Sequence, residues 1–279
     1  MDAGRDSAHS PGSGSGSGSS NSGTGSGSGA NGTGSGSSSG SGSDAGSDAG
    51  VLTATVLFEQ CLGSSLCGPA GSFDFSASFH VLADCAMTTS GACTLSTCQT
   101  APVSGDDAGN VTISGGSIAA GASVMSFGDG VYSYAALGAV MTGGQSVTVS
   151  ASGGTVPTFG PQSVTAPSLV TLTSPSVSDA GTTMISTATD VTIAWSGGQT
   201  GATMTLSLSS QVSQSSLACS WAASSGQGTI PHALLSQLVG QAQGGVLTYG
   251  QEATRTFMAG PYSIAESALL YSEASVSFE

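Results

Sequence analysis

The sequence of 279 residues has little charge of either sign and almost none that is positive. Only 6% of its residues are charged, lysine is absent, and the only arginines are Arg5 and Arg255. Without lysine the chain has no Walker A loop, no Schiff-base lysine and no pyridoxal phosphate anchor, and we expect no cofactor. Sixteen acidic residues give a formal net charge of −14, which excludes the basic footprint of nucleic-acid binding and a polybasic membrane patch.

Long apolar runs are absent as well. None approaches the ~20 residues that a transmembrane span requires, and the segment 1–6 lacks the apolar core of a signal peptide. The six cysteines, an even number, indicate an oxidising compartment and a disulfide framework. We therefore interpret the chain as an extracytoplasmic protein in a mature or truncated form that lacks its export signal, and a lipid anchor upstream of residue 1 stays open. A cytoplasmic origin is the alternative.

Glycine and serine dominate the first part of the chain. Residues 1–50 carry Gly-Ser repeats from Gly12 to Ser43, and a segment with nothing to bury cannot repay its ordering entropy. We predict that 1–50 is a disordered tether with a span of about 40 Å. The rest of the chain is long enough for two domains. We place a Cys-rich β-sandwich-like domain at 51–160 and an Ig-like β-sandwich domain at 161–279, with their junction in the Pro-bearing stretch 156–167.

Alternating apolar residues between turn signals predict an all-β fold. The clearest alternation runs from Phe73 to Val81, and the segment Asp190–Gly198 alternates equally strictly and closes with a Gly-Gly turn. In the second segment Val191, Ile193 and Trp195 share a face, so we predict Trp195 as the keystone of a buried core. Predicted strands of the two units are 52–58, 73–81, 110–114, 131–135, 145–150, 168–173, 191–196, 203–208, 216–221, 246–249, 254–258 and 270–278.

Two local arrangements complete the second unit. The strand 203–208 is expected to pair back on 191–196 as a hairpin. Pro231 suits the first position of a helix, where its missing N–H costs nothing. The leucines and valine that follow, Leu234, Leu235, Leu238 and Val239, form one apolar stripe. We predict one short helix that crosses an end of the sandwich.

The order of these motifs resembles a known type of protein. The stretch Ala151–Gly154, then Phe159-Gly160 and Val164–Pro167, leads into the strand with Trp195, then Cys219, Gly226 and the Pro231 helix. This order is similar to a cassette of uncharacterised secreted proteins and surface lipoproteins of Gram-negative bacteria. The tether, with its Asp-Ala-Gly triplets, resembles the spacer behind their acylated cysteine. The resemblance implies an Ig-like fold at the cell surface and no activity.

The cysteines carry two alternative chemistries. Cys85, Cys93 and Cys98 near His80 have the loose spacing of a zinc site, but zinc sites usually show closer pairs, so we favour disulfides. Cys61 with Cys67 closes a short loop and is the preferred local pair. Five cysteines precede residue 100, so an odd number of bridges must reach Cys219 if all are paired. The disulfide candidates are Cys61, Cys67, Cys85, Cys93, Cys98 and Cys219.

Candidate catalytic groups do not form a recognisable constellation. His80 and Asp84 could orient one another, yet they lie about 13 Å apart along a strand, so we interpret His80 and His232 as surface residues. A glycosidase would need two carboxyls across a cleft, and spacing selects no pair. The carboxylates available are Asp74, Asp84, Asp106, Asp107, Asp129 and Glu252. The turn Asp106–Asn110 is a weak calcium candidate that lacks an alternating aspartate ladder.

These observations favour a non-catalytic extracytoplasmic surface protein. Its role would be binding or structural, and its partner an envelope or extracellular protein or polysaccharide. The alternative is a secreted, glycoside-directed hydrolase that uses a carboxylate pair. A pair of acids clustered in a deep cleft would favour the enzyme, and a smooth sandwich with shallow grooves would favour the binding protein.

Overall fold

A computed structural model of the chain describes residues 51–64, 66–68, 70–79, 85–98, 105–128, 130–177, 182–210, 215–239 and 244–279. The predicted tether, 1–50, lies outside the described residues. The described part is almost entirely β, as predicted, with several sheets packed in a sandwich-like arrangement. The strands are β1 Leu52–Cys61, β2 Ser72–Phe79, β3 Cys85–Ser90, β4 Cys93–Cys98, β5 Val111–Gly115, β6 Ile118–Ser123, β7 Met125–Ser126, β8 Val131–Leu137, β9 Ser146–Ala151, β10 Phe159–Thr165, β11 Thr171–Ser174, β12 Thr183–Ile185, β13 Val191–Ser196, β14 Thr203–Ser210, β15 Ser215–Ala222, β16 Gln227–Ile230, β17 Gly244–Ala259 and β18 Tyr262–Phe278.

One large sheet extends through the fold. Its strand order is β3-β4-β15-β14-β17-β18-β1-β2-β8-β7, and β12 pairs in parallel with the end of β18. β17 and β18, of 16 and 17 residues, form a long antiparallel hairpin that turns at Gly260-Pro261. The predicted strands 246–249 and 254–258 are therefore both parts of β17, and the predicted strand 270–278 is part of β18. β1 runs parallel to β18 and antiparallel to β2.

Two smaller sheets cover one face of the large sheet and create two hydrophobic clusters. The four-stranded sheet β10-β9-β5-β6 encloses the first cluster with β1, β2, β8 and the turn end of the long hairpin. The three-stranded sheet β11-β13-β16 and helix α1 (His232–Val239) enclose the second cluster with β4, β14, β15 and the far end of the hairpin. Strands on both sides of residue 160 share the large sheet, and the boundary at that residue stays a prediction.

Alternation identified the buried faces correctly. Phe73, Phe75, Ala77 and Phe79 are buried, whereas Asp74 and Ser76 are exposed. Val81 lies outside the described residues. Trp195 is 4% exposed, and its indole N–H donates a 2.7 Å hydrogen bond to the Ala223 carbonyl, which confirms it as a core residue.

The helix is confirmed, but the expected hairpin was wrong. β13 pairs with β11 and β16, so it forms no hairpin with β14, which lies in the large sheet. The chain between them crosses from one sheet to the other because both strands bury an apolar face in the same cluster. The segment that contains Cys85, Cys93 and Cys98 forms the hairpin β3-β4. The Pro-bearing stretch contains the edge strand β10, a position that tolerates the missing N–H of Pro161.

Candidate functional site

All six cysteines form disulfides, as predicted. Cys61 pairs with Cys67, which was the preferred local pair. Cys85 pairs with Cys98 across the hairpin β3-β4, and Cys93 pairs with Cys219 across β4 and β15 in the second cluster. The zinc alternative was wrong, because these cysteines have no free thiolate to offer a metal. His80 lies outside the described residues.

Two of the acidic candidates fix a loop to the core. Asp106 accepts a 2.7 Å hydrogen bond from the buried Tyr262 hydroxyl. Asp107 accepts bonds from the Tyr132 hydroxyl, at 2.7 Å, and from the Gly109 N–H, at 2.8 Å. These donors lower the pKa of the Asp107 carboxyl. The turn expected as a weak calcium candidate therefore uses both carboxylates to hold tyrosines, which is a structural role.

His232 is a surface residue, as predicted, and it has a carboxylate partner. Asp190 Oδ1 accepts a 2.9 Å bond from the His232 backbone N–H and lies 3.1 Å from the imidazole Nδ1. The first bond satisfies a donor that the helix start leaves free. Both bonds lower the pKa of Asp190, the backbone bond more strongly. Asp84 and Asp129 lie outside the described residues.

The remaining acids meet on the outer face of the large sheet, which is the face away from the two clusters. Register places Asp74 directly opposite Glu59, and it places Glu59 and Glu252 on either side of Leu269. Two residues further along β18 is Tyr271, and two beyond that is Glu273. Residues at even spacing along a strand share a face. We call Glu59, Asp74, Glu252, Glu273 and Tyr271 the acidic face.

Mutual repulsion and burial change the protonation of this face. Partial burial raises the pKa of Glu59, and the charges of Asp74, Glu252 and Glu273 raise it further. Burial also raises the pKa of Glu273, although a hydrogen bond from Thr248 opposes the change. Desolvation first, and then the nearby carboxylates, raise the pKa of Tyr271 to about 12. The face therefore attracts protons and other donors.

Three features border the acidic face: a glycine on the neighbouring strand, the loop closed by the Cys61–Cys67 disulfide, and several Ser and Thr hydroxyl groups. A Cβ at Gly250, which is opposite Tyr271, would lie 2.7 Å from the Tyr271 Cα, so only glycine fits beside this residue. The sulfurs of Cys61 and Cys67 and a carboxylate oxygen of Glu273 lie within 4.8 Å of one another, so the loop borders the face. Further along the same face, Ser and Thr hydroxyls bond in pairs, as in Thr254–Ser267 at 2.8 Å and Thr55–Ser78 at 2.8 Å.

An ion pair lies on the opposite, inward face of the hairpin. Arg255 Nε donates a 2.8 Å bond to Glu266, whose side chain is 0% exposed. Arg255 also donates to the Gln162 side chain on β10 and lies 5.7 Å from the centroid of the Phe257 ring. The second oxygen of Glu266 has no partner among the described residues. Desolvation raises the pKa of Glu266 and outweighs the opposing effect of Arg255.

Sequence reasoning selected two members of the acidic face, Asp74 and Glu252, and missed Glu59, Glu273 and Tyr271. The five residues come from four strands, and only the strand order brings them together. Their chemistry is that of hydrogen-bond acceptors beside an aromatic ring on an open sheet. No protein-family model matches the chain, and no curated protein matches it either. Among the described residues there is no helix with the length and apolarity to span a membrane.

Proposed function

We propose that the protein is a non-catalytic, extracytoplasmic surface protein that binds a polysaccharide of the cell envelope on its acidic face. The observation that carries the proposal is the group of four carboxylates around Tyr271 on the open side of a continuous sheet. The three disulfides support an extracytoplasmic location.

The chemistry of the face favours a polyhydroxylated ligand. Carboxylates accept charge-assisted hydrogen bonds from hydroxyl or ammonium groups, and a tyrosine offers an apolar ring with a polar tip. The nearest Ser and Thr hydroxyls both donate and accept. Because the described residues contain a single arginine, which is on the inward face, this outer face repels anionic polymers. A neutral or amino-substituted polysaccharide fits the face best.

Calorimetric titration with oligosaccharides tests the proposal. We expect chitosan oligosaccharides to bind most tightly, neutral β-glucan oligosaccharides more weakly, and polygalacturonate oligosaccharides not to bind. Glu59→Gln with Asp74→Asn, or Tyr271→Ala, should weaken binding at least tenfold. Glu279→Gln, which removes one charge beyond the end of β18, is the matched control and should leave the affinity unchanged. Equal binding by all four proteins would contradict the proposal.

A hydrolase is the second candidate, and the Glu59–Asp74 pair favours it. Glu59 and Asp74 are directly opposite in an antiparallel pair, where Cβ atoms lie about 4.5–5.5 Å apart, so their side chains can bring two carboxyl groups together, as a retaining glycosidase requires. The raised pKa of Glu59 suits a general acid. Against this, the register places the pair on the outer face of a sheet, and the pocket that the described residues form lies on the inward face. Release of reducing ends by wild-type protein, lost in Glu59→Gln, would establish the hydrolase and refute the non-catalytic proposal.

A further inference from the structure

A half-open pocket lies where the two hydrophobic clusters meet. It is bounded by the chain that leads into β11 on one side and by the inward face of the long hairpin on the other, and its volume is about 230 Å³. Four aliphatic side chains form most of its wall, namely Leu169, Val170, Leu172 and Val177. Leu169 packs against the first cluster, whereas Val170 and Leu172 belong to the second. The pocket differs from the acidic face in that none of its lining side chains is charged.

Two residues that carry hydroxyl groups complete the lining. Tyr249 is 9% exposed and Ser272 is 4% exposed, and they lie directly opposite each other in the register of the hairpin. In the described part of the chain the fully buried side-chain atoms without a partner are Thr183 Oγ1 and Glu266 Oε1, so neither of these hydroxyls is an orphaned buried group. As hydroxyls of residues that line the pocket, they can exchange water for the oxygen acceptor of a bound molecule.

We infer that this pocket binds a small neutral molecule with a cyclic or branched aliphatic body and one or two oxygen acceptors. The aliphatic wall matches the body, and the hydroxyls of Tyr249 and Ser272 donate to the acceptor. The absence of a charged lining residue disfavours an ion, which would lose its hydration without gaining a counter-charge. At about 30 Å³ for each water molecule, the volume corresponds to roughly eight waters, or to a single substituted ring. This site is independent of the proposed polysaccharide face.

The test uses cyclohexanone as the probe, followed by backbone amide chemical shifts of the full chain. We expect saturable shifts confined to residues 169–172, 249 and 272, with a Kd of about 1 mM, as is ordinary for a ligand with so few heavy atoms. Cyclohexanecarboxylate, which has the same ring and a negative charge, should not bind. Equal or tighter binding of this anion would overturn the inferred ligand class.

Three variants separate the roles of wall and hydroxyls. Tyr249→Phe and Ser272→Ala each remove one hydroxyl with little change of shape and should weaken binding about three- to tenfold. Val177→Trp should fill the pocket and abolish binding. Ser275→Ala, a serine on the opposite face of the same strand, is the matched control and should bind as wild type does. Thermal melts confirm that each variant folds. Absence of saturable shifts in the wild type, shifts elsewhere, or unchanged affinity in the hydroxyl variants would refute the site.

Discussion

Replacing Arg255 by alanine should destabilise the protein by about 2–4 kcal/mol. Arg255 is the partner of Glu266, a carboxylate with no solvent exposure and one oxygen already without a partner among the described residues. Removing one member of a buried ion pair typically costs about 3–5 kcal/mol, because the other charge is left without compensation. The Arg255 side chain is 39% exposed, so water screens part of the interaction, and we reduce the estimate accordingly.

The matched comparison removes both charges. Arg255→Met combined with Glu266→Leu replaces the pair by apolar groups of similar size, and such replacements are often neutral or stabilising. We expect the free energy of unfolding of the double variant to be at most about 1 kcal/mol below that of wild type, or higher than it. Most of the loss in Arg255→Ala would then reflect the orphaned carboxylate, with a smaller part from the lost contacts to Gln162 and Phe257.

Urea unfolding followed by circular dichroism measures these differences at neutral pH and again near pH 4.5. Protonation of Glu266 removes its charge, so the cost of Arg255→Ala should be smaller at the lower pH. A loss below about 0.5 kcal/mol at neutral pH, the range of an ordinary surface substitution, would refute this account of the pair. So would a loss that is the same at both pH values.

Three further outcomes follow from the core and from the titrating groups. Trp195→Ala should cost about 3–5 kcal/mol by leaving a large cavity, and in a Trp221→Phe background the fluorescence of Trp195 should be blue-shifted and resistant to quenchers; red-shifted, quenchable emission would contradict its burial. Removing the Cys93–Cys219 bridge should lower the free energy of unfolding by about 5 kcal/mol, and removing the Cys61–Cys67 bridge should lower it by about 2 kcal/mol. The difference arises because a bridge restricts the unfolded chain more when it closes a longer loop, and the sequence separations are 126 and 6. Equal losses in denaturant would contradict this expectation. Burial raises the pKa of Glu266, Glu59 and Glu273 above 4.5, so the folded state binds more protons than the unfolded state and loses stability as the pH rises above that value. Hydrogen bonds lower the pKa of Asp107 and Asp190 below 3.8, so the stability that these two carboxylates contribute is lost as the pH falls below that value. These groups should therefore lower the Tm as the pH rises above about 4.5 and as it falls below about 3.8, and replacing Glu266 by Gln should weaken the first change; a Tm with the same dependence on pH in wild type and variant would contradict the raised pKa.

Period-2 alternation was enough to identify buried faces, since burial is decided residue by residue. Phe73 to Phe79 and the strand of Trp195 were predicted on this basis, as was the apolar stripe of the helix. Alternation does not tell which strand pairs with which. For this reason the expected β13-β14 hairpin was wrong, although both strands exist.

The long hairpin and the acidic face could not be predicted from local pattern. Gly250 and the buried polar Gln251 interrupt the apolar alternation of β17, which made one strand look like two. Gln251 is satisfied by hydrogen bonds to the carbonyls of Ser168 and Gly197, which are distant in sequence. The acidic face likewise depends on the register of β1 with β2 and β18. Glu59 lies at the solvent side of an alternating strand, and this signal alone does not distinguish it from any other surface acid.

Carboxyl footprinting with and without a chitosan oligosaccharide tests the central claim most directly. Glycine ethyl ester and a carbodiimide label accessible carboxyl groups, and mass spectrometry reports the extent of labelling at each one. We expect the ligand to protect Asp74 and Glu252, at the two sides of the acidic face, and to leave Glu279 unchanged. Unchanged labelling at Asp74 and Glu252 under saturating ligand, or protection confined to other carboxyl groups, would contradict the assignment of this face as the binding surface.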